Sequence, residues 1–215
     1  MKKIVAKIVF ASVCASMAMA NGAFVGVDGE YLLNSKIKYD YKETSGGTTT
    51  SSSYNIKTSP IGIGLRAGYD FDKYRIYGKF NYFLEDSSDQ FFNNSTASTA
   101  DVSFYEFVVG ADYIRPISKE VKLQVGGYTG VSAAFIEMQE VGVVGSNTFG
   151  LPGWVLGAKV GGIYDLDKTG AIEFGLRLDH TKYAGTETTA SGGDKTTEDF
   201  KRTNLGLFVG YTYKF

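Results

Sequence analysis

The chain has 215 residues, 23 acids against 22 bases, 27 glycines, 15 tyrosines and 15 phenylalanines, but only three prolines. A net charge of −1 gives no handle for nucleic acid, and one cysteine and one histidine leave neither a disulfide framework nor a metal-ligand cluster. Mean hydropathy of −0.10 would suit a soluble chain, yet a barrel that alternates lipid-facing with lumen-facing residues averages to the same value.

The N-terminus reads as an address. Lys2, Lys3 and Lys7 precede an apolar run over 8–18, which ends in the small-x-small pattern Ala18-Met19-Ala20. This predicts a secretory signal peptide, residues 1–20, cleaved after Ala20. The apolar run falls short of the ~20 residues that a membrane-spanning helix needs. Cys14 lies inside this segment behind Ala11-Ser12-Val13, a poor lipoprotein box, so the mature chain is expected to carry no cysteine. Residues 21–215 then form one domain.

Eight segments with a period of two follow: 22–33, 60–71, 74–84, 102–114, 120–135, 152–166, 171–182 and 203–215. In the first, Val25, Val27, Tyr31 and Leu33 share one face while Phe24, Asp28 and Glu30 share the other. The second sets Ile61, Ile63, Leu65 and Tyr69 against Arg66, Asp70 and three glycines. The fourth sets Tyr105, Phe107, Val109 and Tyr113 against Glu106, Gly110 and Asp112. The seventh sets Ile172, Phe174, Leu176 and Leu178 against Glu173, Gly175, Arg177 and Asp179. The last sets Leu205, Leu207, Val209, Tyr211, Tyr213 and Phe215 against Asn204, Gly206, Phe208, Gly210, Thr212 and Lys214. An even number of such segments predicts an all-β fold, a transmembrane eight-stranded antiparallel up-and-down β-barrel.

Connections alternate in length. Short turns are expected at Asp72-Lys73, Pro116-Ile117-Ser118-Lys119 and Asp167-Lys168-Thr169-Gly170, and long polar stretches between the other strands. The Ser/Thr/Gly-rich stretches 43–53, 85–100 and 185–199 are expected to be irregular, mobile tips, because they bury too little apolar area to offset their ordering entropy. Tyr69, Phe71, Tyr74, Tyr113, Tyr164, Tyr213 and Phe215 lie by the short turns, and Tyr31, Tyr82, Tyr105, Phe135 and Trp154 toward the long loops. These are two aromatic girdles. Alternation alone would equally allow a soluble, lipocalin-like barrel with its apolar face turned in.

The inward face carries eight acids (Asp28, Glu30, Asp70, Glu106, Asp112, Asp165, Glu173, Asp179) and seven bases (Arg66, Arg75, Lys79, Lys122, Lys159, Arg177, Lys214). Such a set can be satisfied internally by charge-assisted hydrogen bonds. The expected ion-pair network comprises Asp28, Glu30, Arg66, Lys79, Glu106, Lys159, Arg177 and Asp179, in a lumen just wide enough for side chains to fill. A packed polar core is the first reading, and a small pore the alternative. An enzyme is not expected. HTKYAG at 180–185 resembles the His-x-Ser segment of lipid A deacylases, but Lys182 stands where the hydroxyl nucleophile belongs and Thr181 points away from His180. No catalytic, cofactor or metal residues are assigned.

GYTYKF at the C-terminus resembles the closing strand of small outer-membrane barrels of the OmpA transmembrane-domain, OmpX/Ail and opacity-protein type. NGAFVGVDGEY at 21–31 resembles the opening strand of such proteins in Campylobacter and Helicobacter relatives. The resemblance implies an outer-membrane location and a monomer in contact with membrane lipid and lipopolysaccharide. It also implies recognition of Tyr211, Tyr213 and Phe215 by the outer-membrane assembly machinery. The roles it implies are adhesion to a host or matrix ligand, serum resistance or envelope integrity, carried by loops on a rigid scaffold. Because the sequence stops at strand eight, no peptidoglycan-binding domain is expected.

Overall fold

Each alternating segment offers one apolar face, and the chain can bury its polar faces together only by closing on itself. A computed structural model describes residues 22–88, 99–139, 146–189 and 195–215; the expected signal peptide lies outside the described residues. The strands are β1 (Ala23–Ser45), β2 (Thr48–Thr58), β3 (Ile61–Asp70), β4 (Tyr74–Ser88), β5 (Thr99–Pro116), β6 (Val121–Gln139), β7 (Ser146–Asp165), β8 (Gly170–Tyr183), β9 (Thr186–Thr189) and β10 (Lys195–Lys214). Eight of them form the antiparallel ring β1-β3-β4-β5-β6-β7-β8-β10, closed by β10 pairing back onto β1.

The faces fall as the alternation predicts, and the polar face is the inner one. Leu65 is 56% exposed on the outside while its neighbour Arg66 is 4% exposed within. Large apolar side chains stand exposed on all eight ring strands. A soluble barrel would put these in its core, so the soluble reading is excluded. Aromatic rings bound this belt at both ends. Tyr69–Phe71 (4.6 Å between centroids), Tyr74–Tyr113 (5.5 Å) and Tyr213–Phe215 (5.3 Å) pack at the short-turn end, and Tyr82–Tyr105 (4.7 Å) and Tyr105–Phe135 (5.4 Å) at the other.

The short turns are held by local chemistry. Asp72 adopts a left-handed φ of 66°, which Asp tolerates better than most residues. Asp167 Oδ1 accepts the backbone N–H of Thr169 and of Gly170, both at 2.7 Å, and these bonds hold its carboxyl below the usual carboxylate range. Ser118 Oγ accepts the N–H of Val121 at 3.1 Å.

The opposite end departs from the sequence expectation. Residues 43–53 are not an irregular tip. β1 and β2 pair from Ser35↔Thr58 to Ser45↔Thr48, and Gly46 (φ 55°) and Gly47 (φ 82°) form the two-residue turn that such a hairpin requires. β1 therefore runs 23 residues, about twice what a tilted membrane strand needs. Its lower part pairs with β3 and its upper part with β2. The change of partner falls at a bulge between Leu32 and Asn34, opposite Ser59-Pro60, where the Pro60 carbonyl accepts the Leu32 N–H at 3.1 Å. The bulge resets the parity, so that Leu32, Ser35 and Ile37 are buried while Asn34 and Lys36 are exposed. Part of 185–199 is strand as well, since β9 pairs with the start of β10. A four-stranded sheet, β2-β1-β10-β9, thus stands above the barrel. Backbone pairing supplies the order that apolar burial could not, on both sides for β1 and β10 and on one side for the edge strands β2 and β9. The stretch 85–100 lies largely outside the described residues.

Inside, the lumen is layered rather than uniformly polar. Leu32, Ile37, Phe83, Phe104, Ala134 and Tyr183 cluster at the hairpin end, Val108, Tyr128 and Val155 midway, and Ile114, Ile163 and Ala171 at the short-turn end. Glycine makes room for the rings in this interior. A Cβ on Gly110 would come within 2.4 Å of the Tyr77 ring, and one on Gly157 within 2.3 Å of the Tyr128 ring.

Candidate functional site

Strand parity brings cations and carboxylates from all sides into one narrow space, and register decides which of them meet. Arg177 of β8 is the hub of the upper group. It contacts Glu106 at 3.0 Å, Asp179 at 2.7 Å and, more closely, Glu30. Glu106 also pairs with Arg202, and Glu30 with Lys79 at 2.5 Å. Asp28 links this group to a lower one, forming an ion pair with Lys79 at 3.0 Å and accepting a hydrogen bond from Arg66 at 3.3 Å. There Glu173 receives Arg66 at 2.7 Å, Arg75 at 2.6 Å and the Thr212 hydroxyl at 2.7 Å. Neutral donors complete the shell of Asp179, with Asn204 Nδ2 at 2.7 Å and the Tyr128 hydroxyl at 3.0 Å.

Of the eight residues expected to form the network, seven are thereby connected: Asp28, Glu30, Arg66, Lys79, Glu106, Arg177 and Asp179. The eighth, Lys159, instead pairs with Asp112 at 2.9 Å and lies 4.4 Å from the Tyr77 ring centre. Glu173, Arg75 and Asp112 were legible as inward residues, but nothing in the sequence ranks one inward charge above another. Arg202 lies one residue before the last alternating segment, so the sequence reading does not include it; its even parity with Asn204 is the signal that places it inward. Arg202 is fully buried, 3.9 Å from the Phe104 ring centre. The space left for the centres of water molecules among Glu30, Arg66, Tyr77, Lys159 and Phe208 is about 20 Å³, room for one or two waters. Apart from the partly buried Lys79, the ionised groups here have lost bulk solvent, a cost that a nearby opposite charge offsets.

Tyr211, Tyr213 and Phe215 line up on the outward face of β10, and the Phe215 N–H donates to the Ala23 carbonyl at 2.9 Å where the ring closes. His180 is exposed on the outward face of β8, with Nδ1 3.0 Å from the Thr203 hydroxyl, whereas Thr181 is fully buried on the lumen side. The two cannot act together. Among the described residues, no cluster of His, Cys, Asp or Glu could hold a metal ion.

In the projecting sheet, the side continuous with the lumen is aromatic. Tyr39 stacks on Phe200 at 4.6 Å, and its hydroxyl donates to Glu198 at 2.9 Å. The outward side is charged. Lys38 reaches Asp40 at 2.8 Å, and its hydrogen bond, with one from Ser53, holds the Asp40 carboxyl below the usual range.

No family model and no curated protein sequence matches this chain. Solved structures do. Neisserial surface protein A superposes with a TM-score of 0.53 at 15% identity, over 90% of this chain and 97% of that one. The outer membrane protein OprG from Pseudomonas aeruginosa gives 0.55 at 16% identity, over 91% and 96%. Ail, the attachment invasion locus protein of Yersinia pestis, gives 0.44 at 15% identity, over 87% and 99%. The fold is that of the small eight-stranded outer-membrane barrels.

Proposed function

We propose that this chain is an integral outer-membrane protein with a closed lumen, acting through what its hairpins present at the cell surface. The apolar belt between two aromatic girdles supports insertion, with the short turns toward the periplasm and the projecting sheet outside. Closure rests on Arg177, whose guanidinium spans carboxylates from three strands across the interior, between the apolar clusters above and below it. Among the described residues, the sheet of β2, β1, β10 and β9 is the surface that projects farthest from the barrel, and it supports this reading. Adhesion, serum resistance and envelope integrity are all roles of this kind, performed by a monomer.

Single-channel recording in planar bilayers tests closure, beside host-cell or matrix binding by bacteria displaying the barrel with and without residues 36–57. The expected outcome is no steady conductance, and binding that is lost with the hairpin. A stable, ion-selective wild-type conductance would instead make the protein a small pore.

Tyr211, Tyr213 and Phe215 are proposed as the motif read by the assembly machinery, since all three present to the outside on the strand that closes the ring. Deleting Phe215 is expected to lower outer-membrane abundance and leave periplasmic degradation products. Unchanged abundance and heat-modifiable gel mobility would refute this.

A further inference from the structure

Residues directly opposite one another on adjacent strands share a face, so the register can be read as rows around the barrel wall. Two rows at the upper edge of the apolar belt are basic over β2, β1, β10 and β8 and reach apolar side chains on β7. The lower runs Lys57, Lys36, Thr203, His180 and Leu156 across β2, β1, β10, β8 and β7. The upper runs Asn55, Lys38, Lys201, Lys182 and Trp154 across the same strands. Lysine therefore faces lysine at 36/57, 38/201 and 201/182, an arrangement that destabilises a sheet.

Asp40, with Asp199 opposite it in the next row up, compensates part of this charge, lying 2.8 Å from Lys38 and 3.9 Å from Lys201. Lys36, Lys57 and Lys182 are exposed, and none has a carboxylate of the described residues within 4.0 Å. Leu205 and Leu178, at the edge of the belt, lie two residues below the lower row, about 7 Å along the strand. Uncompensated cations held this close to an apolar belt face the depth at which lipid headgroups lie.

We propose that this arc binds the phosphates of lipid headgroups in the outer leaflet. The inference rests on the membrane reading given under Proposed function. Lys36 and Lys57 form one pole. Lys182, beside His180, forms the other, two strand spacings across and two residues along the strand from Lys36, roughly 12 Å away. Trp154 stands directly across the ladder from Lys182, where an interfacial ring would contact the same headgroup. The like-charge repulsion in these rows is relieved when the anion is bound.

Trp154 is the only tryptophan and serves as the reporter. The full barrel is folded into phosphatidylcholine vesicles containing increasing fractions of bis-phosphorylated lipid A, its dephosphorylated form, or neither with inorganic phosphate added. A saturable change in Trp154 emission is expected with the phosphorylated lipid alone. The triple variant Lys36→Gln, Lys57→Gln, Lys182→Gln should weaken the midpoint by roughly fivefold per lysine, whereas arginine at the same positions or Lys119→Gln at the far end should leave it in place. Without lipid A, the glutamine variant should resist urea at least as well as the wild type, which separates lost binding from lost folding. An unchanged midpoint in that variant, or an equal response to dephosphorylated lipid, overturns the proposal. So does a response to inorganic phosphate alone, which would make this a free-anion site. Failure to insert into vesicles at all, judged by gel mobility, overturns the membrane reading itself.

Discussion

Arg177→Ala destabilises the folded barrel by roughly 3–5 kcal/mol in urea titrations in lipid vesicles, because it leaves several buried carboxylates without their shared cation. Glu30 retains Lys79 and Glu106 retains Arg202, but Asp179 keeps only the neutral donors Asn204 and Tyr128. Arg66→Ala should behave similarly, since it strips Asp28 and Glu173 of one partner each. Lys38→Ala, which removes a solvent-exposed pair with Asp40, should cost about 1 kcal/mol or less. The comparison isolates burial as the cause, since all three variants remove one cation. Equal losses would mean that the interior is wet enough to screen its charges. The same Arg177 variant should flicker open in planar bilayers.

Leu176→Arg and Val27→Arg, on the lipid-facing side of β8 and β1, should each cost roughly 2–4 kcal/mol on folding into lipid. Thr49→Arg, on the projecting hairpin, should be close to neutral, because its side chain is exposed beyond the belt. The penalty arises from moving a cation into hydrocarbon, so it should vanish when the three variants are compared in the solvated, unfolded state. Measuring the urea midpoint of each variant in vesicles settles the point. Equal tolerance at all three positions would show that the apolar face does not meet lipid.

Local chemistry determined much of this protein. Alternation is a property of consecutive residues, so the eight ring strands, their inward and outward faces and the three short turns could be read without a partner in sight. Turn residues such as Asp72 and Asp167 act within three positions of themselves, which is why they were legible. Pairing is not local. Whether Lys159 meets Glu30 or Asp112 depends on the stagger between strands, and a shift of register changes every cross-barrel contact while leaving each strand's pattern intact. The bulge at Leu32–Asn34 falls where β1 leaves β3 for β2 opposite Pro60, and it reverses the face of every residue that follows on β1. That reversal buries Ile37 and turns Lys36 outward, opposite Lys57, a juxtaposition that strict alternation through residue 33 would not give. The Ser/Thr-rich hairpin was misjudged for a related reason: its order comes from backbone pairing between β1, β2 and β10, which composition does not record. Composition and periodicity determined the barrel; register, fixed only when the ring closes, decided which charges it pairs and which it leaves at the membrane surface.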